Sequence, residues 1–200
     1  MEQNQITLRG QLSTPPEFSH ENHCRKFYRF LLAVPRLSGV ADVLPVIADG
    51  ILLPAMTPGD TVLVTGQVRS HNIRREDGRH LQIFVFADSL EVQDGEPINQ
   101  VTLSGALCRE PTFRRTPMGR DICDIMLAVP RAFRRADYLP CILWGRVALE
   151  ASACHTRDGI SIQGRLQSRT YRKVTETGTE DRIAYEISAM TAQFPEEPGI

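Results

Sequence analysis

The pentapeptide LAVPR occurs twice in this chain of 200 residues, at Leu32–Arg36 and again 95 positions later at Leu127–Arg131. Outward from it, Asn4–Gly50 and Asn99–Gly145 align without a gap and share 20 identities in 47 positions. The matches include Asn4/Asn99, Gly10/Gly105, Pro16/Pro111, Phe18/Phe113, Ala41-Asp42/Ala136-Asp137, Leu44-Pro45/Leu139-Pro140 and Gly50/Gly145. After three extra residues in the second copy the register resumes, pairing VTGQVRS (Val64–Ser70) with IQGRLQS (Ile162–Ser168). This is a tandem duplication of a unit large enough to fold as one small domain. The boundary falls near QDGEPIN (Gln93–Asn99), which divides the chain into residues 1–96 and 97–200.

Within each copy the hydrophobic pattern is that of strands. QITLRGQL (Gln5–Leu12) and QVTLSGAL (Gln100–Leu107) alternate polar and apolar residues. KFYRFLLAV, CDIMLAV, DTVLVTGQV and GISIQGRL are short β-rich runs bounded by Gly, Pro and Asp. The clearest helix signal is GRVALEASACH (Gly145–His155), between the third and fourth strand signals of the second copy. Its counterpart GILLPAMTPGD contains Pro54 and Pro58, so the first copy is expected to keep only a broken turn there. Five strands with a helix after the third define the OB-fold, a partly open Greek-key barrel that commonly binds oligonucleotides. The expected architecture is all-β: two tandem five-stranded OB barrels, with a short helix between strands 3 and 4 of the second.

With 42% hydrophobic and 24% charged residues the composition is that of a globular chain, and the longest apolar runs fall far short of a membrane span. The polar start, Met1-Glu2-Gln3-Asn4, does not read as a signal peptide, so a cytoplasmic location is expected. Five cysteines without CxxC spacing argue for reduced, structural thiols. The formal net charge of -1 conceals an asymmetry: residues 1–96 carry 9 basic and 12 acidic groups, residues 97–200 carry 14 and 12. An anionic partner is expected to prefer the second copy.

Four blocks of the second copy, NQVTLSGALCREPTFR, LAVPRAF, DYLPCILWGRVA and GISIQGRLQSRTY, in that order and spacing, resemble the bacterial single-stranded-DNA-binding protein family. The resemblance covers residues 98–194 and is fainter in the first copy. It implies nonspecific binding of single-stranded DNA in replication, recombination or repair, and four stacking aromatics. These fall on Phe133, Tyr138, Trp144 and Tyr171. The chemistry suits them: a flexible strand read without sequence preference needs flat rings for splayed bases and cations for phosphates. Arg131, Arg134, Arg135, Arg146, Arg165, Arg169, Arg172 and Lys173 flank these rings, and guanidinium groups both pair with phosphate and stack on bases. Because family members present four OB domains per assembly, the resemblance also implies a homodimer. Replication or repair proteins are the further partners it suggests.

At the equivalent positions the first copy has Ser38, Val43, Asp49 and Ile73, with no ring among them. Its expected role is assembly or partner binding, with Arg69, His71, Arg74 and Arg75 as residual basic residues. The competing class is an OB-fold protein-interaction module of a primosome, plasmid or phage replication system that touches DNA weakly or not at all. Rings and arginines alone do not separate DNA from RNA. HENHC (His20–Cys24) fits no common zinc spacing, and Cys154-His155 lacks an orienting third group, so neither a metal, a cofactor nor catalysis is expected. EDG (Glu76–Gly78) and ETGTED (Glu176–Asp181) read as hairpin tips, and FPEEPGI (Phe194–Ile200) as an acidic end.

Overall fold

The computed structural model describes residues 3–75, 78–175 and 178–194. The hairpin tips at Glu76-Asp77 and Glu176-Thr177, and residues 195–200 of the acidic end, lie outside the described residues. The first half contains β1 (Asn4–Leu12), β2 (Glu17–Asn22), β3 (Arg25–Pro35), β4 (Ala41–Asp49), β5 (Thr61–Arg75) and β6 (Gly78–Val92). The second contains β7 (Ile98–Leu107), β8 (Thr112–Arg115), β9 (Asp121–Arg131), β10 (Arg135–Trp144), β11 (Gly159–Thr175) and β12 (Gly178–Gln193), with helix α1 (Arg146–Ala151) between β10 and β11.

Strand pairing in the first half runs β1-β3-β4-β6-β5 and returns to β1, with β4 and β6 parallel and the other pairs antiparallel. The second half repeats the circuit as β7-β9-β10-β12-β11. This is the OB-fold. A strand that belongs to both sides of such a ring must bend sharply. Gly10 and Gly105 sit at those bends: a Cβ on either would collide with the backbone of Ala33 or Ala128. Inward-facing Leu8, Phe30, Leu32, Leu44 and Val64 fill one ring, and Leu103, Ile125, Leu127, Leu139 and Ile162 the other.

Two differences from the sequence reading have simple causes. β2 and β8 are additional edge strands; every residue in both is exposed, so neither shows the alternation that marks a half-buried strand. The helix is shorter than GRVALEASACH suggested, because its last turn frays into the loop closed by His155 and Asp158. In the first half, with its two prolines, only the single turn Gly50–Leu52 remains.

The halves form one continuous body. β1 pairs antiparallel with β7 from Asn4↔Leu103 to Arg9↔Ile98, which joins them in a sheet ordered β6-β5-β1-β7-β11-β12. The long hairpins then reach across. Asp137, fully buried on β10, accepts the backbone N–H of Ser70 at 2.8 Å and faces Arg69 and Arg131, each at 3.3 Å. Asp42, its counterpart on β4, accepts the N–H of Ser168 at 2.7 Å and is paired with Arg36. Arg36 also donates to the Ser168 carbonyl at 3.0 Å. A carboxylate this deep is tolerated only while hydrogen-bonded and charge-paired. Asp42 holds the Arg36 guanidinium above its ordinary range, whereas burial and the nearby Arg131 lower that of Arg69.

The cysteines are all free thiols. Burial pushes Cys123 up to about 11 and Cys141 higher still, so both are protonated near neutrality. Two outcomes follow. Iodoacetamide on the native chain should alkylate exposed Cys24 while sparing Cys123 and Cys141 until denaturant is added, as read by peptide mass spectrometry. Asp137→Ala, which strands two arginines and a backbone N–H, should cost about 3 kcal/mol and lower the thermal midpoint by about 10 °C in calorimetry.

Candidate nucleic-acid interface

Alternation along β10 sends Leu139, Cys141 and Leu143 into the barrel and Tyr138, Pro140 and Trp144 outward. On β11 the same outer face carries Arg165, Gln167, Arg169 and Tyr171, and directly opposite them on β12 lie Ser188, Glu186, Ala184 and Arg182. Three of the four expected rings therefore share one face of the second barrel. Tyr138 is 46% exposed, and Trp144 and Tyr171 are 37% each. Trp144 is fixed rather than free: its Nε1 donates to the Ser188 hydroxyl at 3.1 Å, which leaves its indole standing on the surface.

Phe133 stands apart, in the β9–β10 loop. It is 93% exposed, and both it and Arg134 adopt left-handed backbone, with φ of 60° and 56°. That conformation costs a non-glycine residue about 1–2 kcal/mol, and an exposed phenyl ring recovers none of it by burial. In the first half the matching loop is a plain turn, with Gly39 at the positive φ and Arg36 N–H bonded to the Val40 carbonyl at 2.8 Å.

The basic residues are spread over several tasks. Arg134 and Arg135 are exposed beside Phe133. Arg169 lies over the Tyr171 ring at 5.8 Å and 3.6 Å from Glu186. Arg172 is 3.5 Å from Asp181, and Arg146 pairs with Glu150 one helical turn away at 2.6 Å. Arg131 is drawn into the cluster around Asp137. Arg165 sits lower on β11, paired in register with Ser188, and its Nε is buried without a hydrogen-bond partner among the described residues. Lys173 follows on the same hairpin.

The outer face also contains residues that the sequence reading passed over. Arg114 on β8 bonds Asp124 at 2.7 Å, and Asp124 is in register with Ile142 on β10. Glu186 is buried under the arginines and accepts from Gln167 at 2.8 Å. Arg114 ends the quoted run NQVTLSGALCREPTFR and was legible as a cation; Glu186 had no signal beyond being an acid in a strand. Beyond Tyr171 the face opens into a groove of about 790 Å³ between the halves, where Met126, Pro140 and Tyr171 oppose Arg29, Ile73 and Phe84.

In the first half, Asp49 occupies the position of Trp144. It is buried, bonds the N–H of Ile51 at 3.1 Å and is paired with Arg25, so its charge is neutralised locally rather than presented to the surface. Arg69 of the residual basic group is likewise committed to Asp137.

Comparison with known proteins places the chain in a family. The sequence model of the single-strand binding protein family matches residues 98–195. Single-stranded DNA-binding protein B of Bacillus subtilis is 35% identical over 104 residues, which is 48% of this chain and 88% of that protein. The single-stranded DNA-binding protein of Oceanobacillus iheyensis is 33% identical over 112 residues, 51% of this chain and 66% of that protein. The solved structure of the wild-type single-stranded DNA binding protein from Thermus aquaticus superimposes with a TM-score of 0.78 over 98% of this chain and 95% of that one, at 23% identity, a likeness of fold. With its second half matched in sequence and nearly its whole length matched in fold, the chain belongs to the single-strand binding protein family.

Proposed function

We propose that the second half, residues 97–200, binds single-stranded DNA without sequence preference and holds it for replication, recombination or repair. The observation that carries this is the outer face of β10 and β11, where Tyr138, Trp144 and Tyr171 stand exposed on a rigid sheet with Phe133 at its rim. Bases stack on the rings while Arg134, Arg135, Arg169 and Arg172 meet phosphates. Arg146 and Arg114 lie at the edges of the path. Arg131 contributes indirectly, by anchoring the loop of Phe133 to Asp137. No step of bond making is part of this reading. Two chains, each with two barrels, form the working assembly, which presents four OB domains.

The relatives' names support DNA as the ligand. The duplex form does not fit, because paired bases cannot splay onto separate rings.

Trp144 is the only tryptophan and reports on its own face. Oligo-dT should quench its fluorescence, and duplex DNA of the same length should not. With about four phosphates neutralised, the logarithm of affinity should fall with that of salt at a slope of about -3. An unchanged signal at low salt, with no gel shift, would sink this reading. Trp144→Ala or Tyr171→Ala should each weaken binding about 5- to 150-fold, the value of one stacked base.

Phe133→Ala separates a binding ring from a packing one. Its unfolding free energy in urea should stay within about 0.5 kcal/mol of wild type while strand affinity falls, whereas Leu139→Ala should cost about 3 kcal/mol.

A further inference from the structure

Ser188 lies buried on β12, on the face that carries the rings, with Ile142 beside it in register on β10 and Arg165 across from it on β11. A hydroxyl at this depth is tolerated when it is hydrogen-bonded. Its partner is the indole of Trp144, whose Nε1 donates to the Ser188 Oγ at 3.1 Å from the neighbouring strand.

The backbone of Trp144 is fixed independently of that bond. It is paired with Ile122 at the end of β10. Gly145 then turns the chain with a φ of 59°, and its N–H bonds the Asp121 carbonyl at 2.9 Å. What remains is rotation about the side-chain torsions, which swings a ring of this size through a wide arc. One hydrogen bond at the far edge of the indole settles that rotation. It also turns the edge that bears Nε1 towards the sheet, so the side chain's single donor is occupied and the exposed part is apolar ring. A ring held in this way offers stacking to every base and a hydrogen bond to none.

The two halves differ at both members of the pair. The bulges at Gly66 and Gly164 bring β6 and β12 into equivalent register, so Phe86 stands where the second half has Ser188. Asp49 stands where it has Trp144, and its carboxylate is directed to the Ile51 N–H and to Arg25. The small hydroxyl thus accompanies the indole, and where the indole is replaced the hydroxyl is replaced with it.

Resting on the strand-binding reading of the second half, we propose that Ser188 is a positioning residue, which holds the Trp144 indole in the orientation on which a base stacks. Ser188 touches no base itself. It removes in advance the rotational freedom that Trp144 would otherwise lose on binding. Ordering one such side chain corresponds to a change of about two- to tenfold in affinity.

The test uses the full chain, with affinity read from the anisotropy of fluorescein-labelled oligo-dT so that it does not depend on the tryptophan. Ser188→Ala should weaken binding about two- to tenfold and leave the salt slope at its wild-type value, since no cation is lost. In a Trp144→Ala background the same change should cause no further loss, as expected of a residue that acts through the ring. Time-resolved anisotropy of the single tryptophan should show the indole rotating with the whole protein in wild type and gaining a fast local component in Ser188→Ala. Unchanged affinity in Ser188→Ala, an equal loss in both backgrounds, or an indole that stays immobile without the hydroxyl would each overturn the assignment. Failure of the underlying reading looks different, because the wild-type chain itself would then leave the labelled strand unbound at low salt.

Discussion

Two carboxylates with almost no contact with solvent, Asp42 and Asp137, determine how the halves are arranged. Each stands at the start of a barrel strand, yet each accepts the backbone N–H of a serine that belongs to the other half. Desolvating a carboxylate costs several kcal/mol, and the cost is recovered only when its partners are in place. Drawing the halves apart would strand both charges at once. The β1–β7 pairing fixes the join along one line, and the two aspartates, displaced from that line, suppress rotation about it.

The ringed face of the second half depends on this contact. The Tyr138 backbone N–H donates to the Ser70 hydroxyl at 2.7 Å, so a residue of the first half holds the strand that presents one of the rings. Arg131 bonds Asp137 two residues before Phe133. The groove beyond Tyr171 exists only because the hairpins of both halves stand facing one another. A barrel cut from residues 97–200 alone would lose the support of Tyr138, leave Asp137 without Ser70 and Arg69, and lose one wall of the groove.

Much of this was readable in the repeat. Residues that solve a backbone or core problem, such as Gly10/Gly105 and Leu32/Leu127, were retained in both copies, and they gave the strands, the ring closure and the broken helix of the first half. The clasp was visible only as unexplained identities: Asp42/Asp137 and Ser70/Ser168 were matched, but the contacts join residues 67 and 126 positions apart and no local pattern encodes them. Phe27 was obscured for the opposite reason. In KFYRFLLAV the aromatics Phe27, Tyr28 and Phe30 lie too close together to show which face each takes, and only strand register separates Phe30, which points inward, from Phe27, which lies on the outer face under His20. Arg165 was legible as a cation but not as a half-buried one, since its depth is set by the neighbouring strand.

The strained loop at Phe133 shows how duplication allowed the two faces to diverge. Both copies leave the same strand after LAVPR, and the simplest connection to the next strand is the glycine turn that the first half retains. The second half instead places two non-glycine residues in left-handed backbone and exposes a phenyl ring completely. Neither feature lowers the energy of the isolated chain, so the fold supports them from elsewhere, through the bond from Arg131 to a carboxylate that packing between the halves has already buried. The strained backbone, and with it the outward placement of the ring, is thus present in the unliganded chain. The contact between the halves and the exposed ring at the rim are therefore two ends of one arrangement, in which stability in the buried clasp supports a costly conformation at the surface.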